Sequence, residues 1–379
     1  AVRAQLAKAA EAARLSGGDD SAMSHAWLFT GPPGSGRSVA ALALAAALQC
    51  TGETPGCGEC QACRLVMSGA HPDVEKVATE GVTITVDSTR SLVGRSYAAP
   101  SAGRWRVIII EDADRMAERT TNVLLKAIEE PPAYTVWMLC TPSPDDVMPT
   151  IRSRCRSVNL AIPSAEDIAE LLATRENIDP AEALVAAQAA QSHVGRAQAL
   201  VTNPAAAEER RATLSLAAGI RGVGDAVMGA KRIVVAADAF AKTESGRLDE
   251  AEKAELARSL GVEGETRIKP ALAAQFRDLE KMQKGRATRI KRDFLDRVMI
   301  DILSLYRDIL TVQLGASVAL VNQDFVQSVQ KIAAETSPEQ SVRKMDAIAH
   351  SRQRLAGNVD PQLTIEAMLI SLRPQGQNS

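Results

Sequence analysis

Four short stretches hold residue types at spacings that do chemistry. The first, GPPGSGRS from Gly31 to Ser38, has the length and glycines of the phosphate-binding pattern G-x-x-x-x-G-K-[ST], with Arg37 where lysine is usual. Gly31, Gly34 and Gly36 let the backbone curl so that its N–H groups face phosphate oxygens, and the dipole of a following helix attracts the anion. Ser38 then stands where a hydroxyl holds Mg²⁺. Arginine pairs with phosphate, but its planar fork does not occupy the place of a compact ammonium. The stretch therefore reads as a loop that holds ATP or ADP with weak turnover or none, or as a turn that only closes the fold.

The second stretch, IIIEDADRM, sets Glu111 and Asp112 at the end of an apolar run, where one carboxylate meets hydrated Mg²⁺ and another orients the attacking water. The usual order is Asp then Glu. The swap moves each carboxylate by about one methylene, and position is most of what such catalysis needs. The other reading is a pair of surface acids at a strand end. The third stretch, CTGETPGCGECQAC, carries Cys50, Cys57, Cys60 and Cys63 in the spacing C-x6-C-x2-C-x2-C. With no secretory leader in sight, four thiolates this close imply a closed structural Zn²⁺ site rather than disulfides; free thiols are the alternative. Cys140 and Cys155 lie outside the cluster and read as packed small apolar residues. The fourth, PTIRSRC, puts Arg152, Arg154 and Arg156 on alternate positions, either as a solvated basic patch or as a source of positive charge for a phosphate.

These residues need elements to position them. AWLFT before Gly31, RVIIIED from Arg106 to Asp112 and TVWMLCT from Thr135 to Thr141 read as parallel strands, and ERTTNVLLKAIEE reads as the helix between the last two. Strand, glycine loop and helix open a nucleotide-binding α/β unit, and alternation over about 160 residues implies a doubly wound sheet. VRAQLAKAAEAA from Val2 is a helix, and SGGDDSA a loop. After Pro163 strand signals stop, and SAEDIAELLATR begins helices that continue to LTIEAMLISLR, with GVEGETRIKP and LAGNVDPQ as breaks and PQGQNS as a frayed tail.

The bulk numbers agree. The chain has 379 residues, enough for two or three domains, and its low aromatic content of 3% favours helices packed through small aliphatic side chains. A net charge of -2 excludes whole-surface attraction to nucleic acid. The longest apolar run, Val39 to Leu48, is too short to span a bilayer, so no membrane partner and a cytoplasmic location are expected. Arg90, Arg95, Arg104, Arg106 and the KMQKGRATRIKR segment read as solvated faces in preference to phosphate-tracking ones.

Taken in order, HAWLFTGPPGSGRS, the cysteine cluster, IIIEDADRM, NVLLKAIEEPP, CTPSPDDVMPTIRSRC and the late NVDPQLTIEAMLISL resemble the bacterial DNA polymerase III clamp-loader subunits, an AAA+ family, and among them the delta prime type. The first 160 residues carry most of this likeness, LLKAIEEPP and SRC above all. The resemblance implies an α/β AAA+ P-loop domain with a zinc-binding insertion over 1–162, a small helical lid over 163–206 and an all-α collar over 207–379. It implies partnership with tau/gamma motor subunits and a delta subunit in a five-membered ring that loads the sliding β clamp onto primed DNA. Delta prime-like members commonly hydrolyse no ATP and lend the SRC arginine, here Arg154, to the neighbouring motor site. Thr141 falls at the sensor-1 position and Arg196 at the sensor-2 position. The alternatives are the tau/gamma motor ATPase itself, against which Arg37 and the swapped acids count, and a hexameric branch-migration or helicase-loading protein, against which the cysteine cluster and LLKAIEEPP count.

Overall fold

A computed structural model describes residues 2–14, 22–77, 84–262, 270–357 and 359–374. Expectations for most of the SGGDDSA and GVEGETRIKP loops and for the tail fall outside them. The chain divides into two compact units, Ala1–Ser164 and Ala165–Ser379.

The first unit runs α1 (Val2–Ala12), β1 (Ala26–Thr30), α2 (Arg37–Gln49), α3 (Gln61–Met67), β2 (Val74–Val77), α4 (Val86–Ser96), β3 (Arg106–Ile110), α5 (Glu118–Glu129), β4 (Thr135–Thr141), α6 (Pro149–Arg152) and β5 (Arg156–Asn159). The five strands form one parallel sheet in the order β2-β3-β4-β1-β5. Every residue of β1 and β4 is buried, as continuous apolar runs covered on both faces require. Trp27 and Phe29 pack with Leu44 and Leu48 of α2 on one face; Leu28, Ile108 and Trp137 pack with Leu124 and Ile128 of α5 on the other. Two strands escape the sequence reading. β2 (VEKV) and β5 (RSVN) are the sheet edges, so charged and polar side chains interrupt them and no apolar run marks them. The expected strand RVIIIED stops at Ile110, which leaves Glu111 and Asp112 beyond the sheet.

The link from α4 to β3 hangs on one carboxylate. Asp73, fully buried, accepts the backbone N–H of Ser101, Ala102 and Gly103 at 2.6–2.7 Å and the Ser101 hydroxyl at 2.9 Å. Burial alone would raise its pKa, but those donors outweigh it and hold the group down to about 2. The folded-state value lies below the ordinary one near 3.9, so the stabilisation is full above that value and is lost as pH falls toward 2. Asp73→Asn should therefore destabilise the protein by roughly 2 kcal/mol at neutral pH, and urea titrations should show the deficit shrinking between about pH 4 and 2. An undiminished deficit at pH 2 would contradict this origin.

The second unit is all helical: α7 (Ala165–Glu176), α8 (Pro180–Ala189), α9 (Val194–Thr202), α10 (Pro204–Gly219), α11 (Val223–Ser259), α12 (Pro270–Gln313), α13 (Val326–Glu335), α14 (Pro338–Ala356) and α15 (Pro361–Ser371). One apolar cluster joins Ile168, Leu172, Ala183 and Ala187 of α7 and α8 with Ala197 of α9; a larger one draws on α10 to α15. Prolines open α8, α10, α12, α14 and α15, where the missing N–H is no loss. In α11 and α12 the core stripe is Ala226, Ala230, Ile233 and Ala237 against Phe294, Met299 and Ile302.

Beyond that stripe the α11–α12 hairpin is held by charge. Arg286 bridges Asp249 at 3.2 Å and Glu252 at 2.7 Å, Gln283 donates to the Asp249 carbonyl and to Glu252, and Lys291 meets Asp238 at 2.6 Å. The basic KMQKGRATRIKR segment thus finds much of its counter-charge in the acids of α11, far away in sequence.

Candidate functional site

The register Thr30↔Thr141 and Thr30↔Asn159 brings the ends of β1, β4 and β5 to one edge, and the glycine loop leaves that edge at the point where neighbouring crossovers diverge. Gly34 and Gly36 have φ of 89° and 82°, left-handed conformations in which glycine is unstrained. At Gly31 a Cβ would meet the Ser35 side chain and lie 2.8 Å from the Leu160 carbonyl oxygen. The loop has the curled glycine backbone read from its sequence.

Its side chains depart from the pattern. Arg37 turns back on its own loop, its Nη1 donating to the Gly31 carbonyl at 2.9 Å. Burial first, then the charge of Glu111, pushes the Cys140 thiol up to about 12, while Arg37 and a hydrogen bond with Ser38 oppose the shift. Arg37, Ser38, Glu111 and Asp112 are thus all close enough to the end of β4 to act on Cys140. Glu111 has Lys76 at 3.6 Å, and Asp112 is also engaged. Thr141 is fully buried, its hydroxyl donating to the Ser143 carbonyl at 3.0 Å. Asp114, which the sequence reading left aside, is raised in pKa chiefly by burial and also by the charge of Asp112, while a hydrogen bond from its own backbone opposes the shift.

The cysteines come together. Cys50 caps the end of α2, Cys60 caps the start of α3 and Cys63 lies in its first turn. The four sulfurs lie within 4.8 Å of one another, with Cys50 to Cys57 at 3.6 Å and Cys60 to Cys50 at 3.9 Å. Four thiolates at about 2.3 Å from a tetrahedral ion would stand roughly 3.8 Å apart, so the donor set fits Zn²⁺. Backbone N–H groups of Gly52, Cys60 and Cys63 each lie 3.4 Å from a cluster sulfur, which favours thiolates. The Cys63 N–H is the largest influence on Cys60, whose pKa falls to about 5. Arg14, at the end of α1 and unremarked in the sequence, straps the site by donating to the Cys50 and Glu53 carbonyls.

The three arginines of PTIRSRC diverge. Arg152 pairs with Asp145 at 2.7 Å, and Arg156 lies over the Trp27 ring and donates to the Ala22 carbonyl. Arg154 is half-exposed and meets Glu129 at 2.7 Å. Cys155 points inward, its thiol pushed up to about 12 by burial; with buried Cys140 this matches the packed role expected of both. Arg196 lies in the helical unit, where it pairs with Asp301, which is itself 3.4 Å from buried Arg210. Such long-range partners leave no local signal. Three of the four basic groups considered for DNA are neutralised nearby: Arg90 by Asp87, Arg95 by Glu75, and Arg106 by Asp73 and Glu75. Among the described residues, no helix is long and apolar enough to cross a membrane.

Two family models match the chain, "DNA polymerase III, delta subunit" over residues 16–164 and "DNA polymerase III, delta subunit, C terminal" over residues 290–373. A DNA polymerase III subunit delta' of Pseudomonas aeruginosa is 38% identical over 42% of this chain and 50% of its own length. A gamma/tau subunit of Mycobacterium tuberculosis is 36% identical over 40% of this chain and 26% of its own. This chain therefore spans about half of the first relative and about a quarter of the second. A delta' subunit of Bacillus subtilis is 25% identical, and that alignment covers 93% of this chain and 91% of the relative.

Proposed function

The chain belongs to the DNA polymerase III delta-subunit family, and from that membership we propose that it is the delta prime subunit of a bacterial clamp loader. In this reading it sits in a five-membered ring with tau/gamma motor subunits and a delta subunit, helps place the sliding β clamp on primed DNA in the cytoplasm, and has little or no ATP hydrolysis of its own. Its parts are an AAA+ domain over 1–162, a lid over 163–206 and a collar over 207–379. Arg154 is lent to the neighbouring motor site, where a guanidinium compensates charge that develops in the transition state. Cys50, Cys57, Cys60 and Cys63 hold a structural Zn²⁺, which acts as a cross-link between α2 and α3. A role for Arg196 at a phosphate would require it to leave Asp301.

The observation that carries this reading is the contrast between two arginines. Arg37, at the lysine position of the loop, donates to its own Gly31 carbonyl, whereas Arg154 stands half-exposed on the surface. Arg37 is engaged by its own loop, whereas the Arg154 guanidinium, paired with Glu129, lies at the surface. The swapped acids Glu111 and Asp112 support the same division of labour.

Calorimetric titration with Mg²⁺ and ATP, with a long hydrolysis assay on the same sample, tests it. The wild-type chain should show no turnover, and Arg37→Lys should bind ATP at least about tenfold more tightly while still failing to hydrolyse it. Rapid turnover by the wild type would move the chain to the motor class. Unchanged affinity in Arg37→Lys would show that the arginine does not close the loop.

A further inference from the structure

We infer that Glu129 is a positioning residue for Arg154: its carboxylate fixes the direction in which that guanidinium leaves the surface. The inference rests on the proposed role of Arg154 as a charge lent to a neighbour, and it assigns a task to LLKAIEEPP, the stretch most diagnostic in sequence and otherwise without one.

The argument begins with the backbone. Arg154 lies between two inward anchors, Ile151, which is 1% exposed, and Cys155, which is partly buried against the core. Its N–H donates to the Ile151 carbonyl at 3.0 Å. These contacts fix the position of its Cα but not of a guanidinium four rotatable bonds away. That end is set by polar contacts alone. Nη1 donates to the Thr150 carbonyl at 2.7 Å and to the Ser153 hydroxyl at 3.2 Å, and Nε meets Glu129 Oε1 at 2.7 Å. Both of these Nη1 contacts come from Arg154's own segment, so among the described residues it is Glu129 that ties the side chain to a different element.

Glu129 is anchored through its backbone by its helix. It is the last residue of α5, directly after Ala127 and Ile128 in the core, and Pro131 and Pro132 prevent the helix from running on. A carboxylate in the last turn opposes the helix dipole, and a pair this exposed adds little to folding, with side chains 41% and 44% accessible. Stability therefore does not account for an acid here, whereas orientation does. Bonding Nε to Glu129 and Nη1 to the loop leaves the Nη2 edge of the fork to face a phosphate oxygen.

The test uses the ring reconstituted from this chain and the tau/gamma and delta subunits of its own organism, assayed for DNA- and clamp-stimulated ATP turnover. Read in pre-steady-state kinetics at the site this subunit faces, Glu129→Ala should lower kcat about tenfold with KM for ATP, ring assembly and melting temperature unchanged, because misplacement of a charge acts on the transition state. Glu129→Gln keeps an oxygen that accepts from Nε and should restore most of the loss. The double variant Glu129→Ala, Arg154→Ala should be no slower than Arg154→Ala alone. Wild-type kcat in Glu129→Ala, equal losses in the Ala and Gln variants, or an added loss in the double variant would each overturn the inference. Wild-type turnover in Arg154→Ala would instead remove the trans-acting role on which it rests, so the two failures are told apart.

Discussion

If Arg154 is lent to a neighbouring motor site as proposed, Arg154→Ala in the reconstituted ring should lower ATP turnover at that site by at least about 10³-fold, the scale of effect seen when a trans-acting arginine is lost from phosphoryl transfer. Nothing else should change. The side chain is half-exposed and its pair with Glu129 is worth about 1 kcal/mol at most, so the variant should melt with the wild type and enter the ring at the same ratio. Bulk turnover falls only by that site's share, which makes single-site or pre-steady-state measurement the informative one. Arg154→Lys keeps the charge but loses the planar fork, and should recover part of the rate. A ring containing Arg154→Ala that hydrolyses ATP as fast as wild type would remove the trans-acting role.

Metal removal gives the opposite pattern, a large loss of stability with the neighbour's chemistry intact. Under the Zn²⁺ assignment, verified chelation or Cys60→Ser should destabilise the α/β unit by at least about 3 kcal/mol, a fall in melting temperature on the order of 10 °C. The geometry supplies the reason. Cys50 is buried and ends α2, while Cys60 and Cys63 begin α3, so the ion closes the two helices onto each other. Without it four sulfurs within 4.8 Å have no shared partner, and the Cys63 thiol, pushed up to about 12 mainly by burial, stays protonated. Activity of refolded, assembled rings should still depend on Arg154 as before. A melting curve unmoved after metal analysis confirms removal would sink the structural role.

What could be read in the sequence was what neighbours along the chain determine. The glycine loop, the four cysteines and the buried strands β1, β3 and β4 are local patterns, and the structure holds each where its spacing implied. The edge strands β2 and β5 were hidden because an edge tolerates Glu75, Lys76, Arg156 and Asn159 where a central strand would not. Side-chain destinations were hidden for another reason. Arg37 could be identified as anomalous but not seen to turn onto Gly31, and Arg196, Arg286 and Arg154 find Asp301, Asp249 and Glu129 only after folding closes gaps of 25 to 105 residues. A net charge near zero gave no hint that so many basic groups are matched one by one.

The α11–α12 hairpin is built from two kinds of cohesion along its length. Near its root the alanine and isoleucine stripe excludes water, and dissolved ions have almost no purchase there. Further out the helices are joined by Arg286, Gln283 and their acidic partners, directional contacts that lose most of their net strength once water enters between the partners. The hairpin therefore has no single breaking point. It should open by degrees from its far end, with amides there exchanging through small local openings while those at the root wait for the whole unit to unfold.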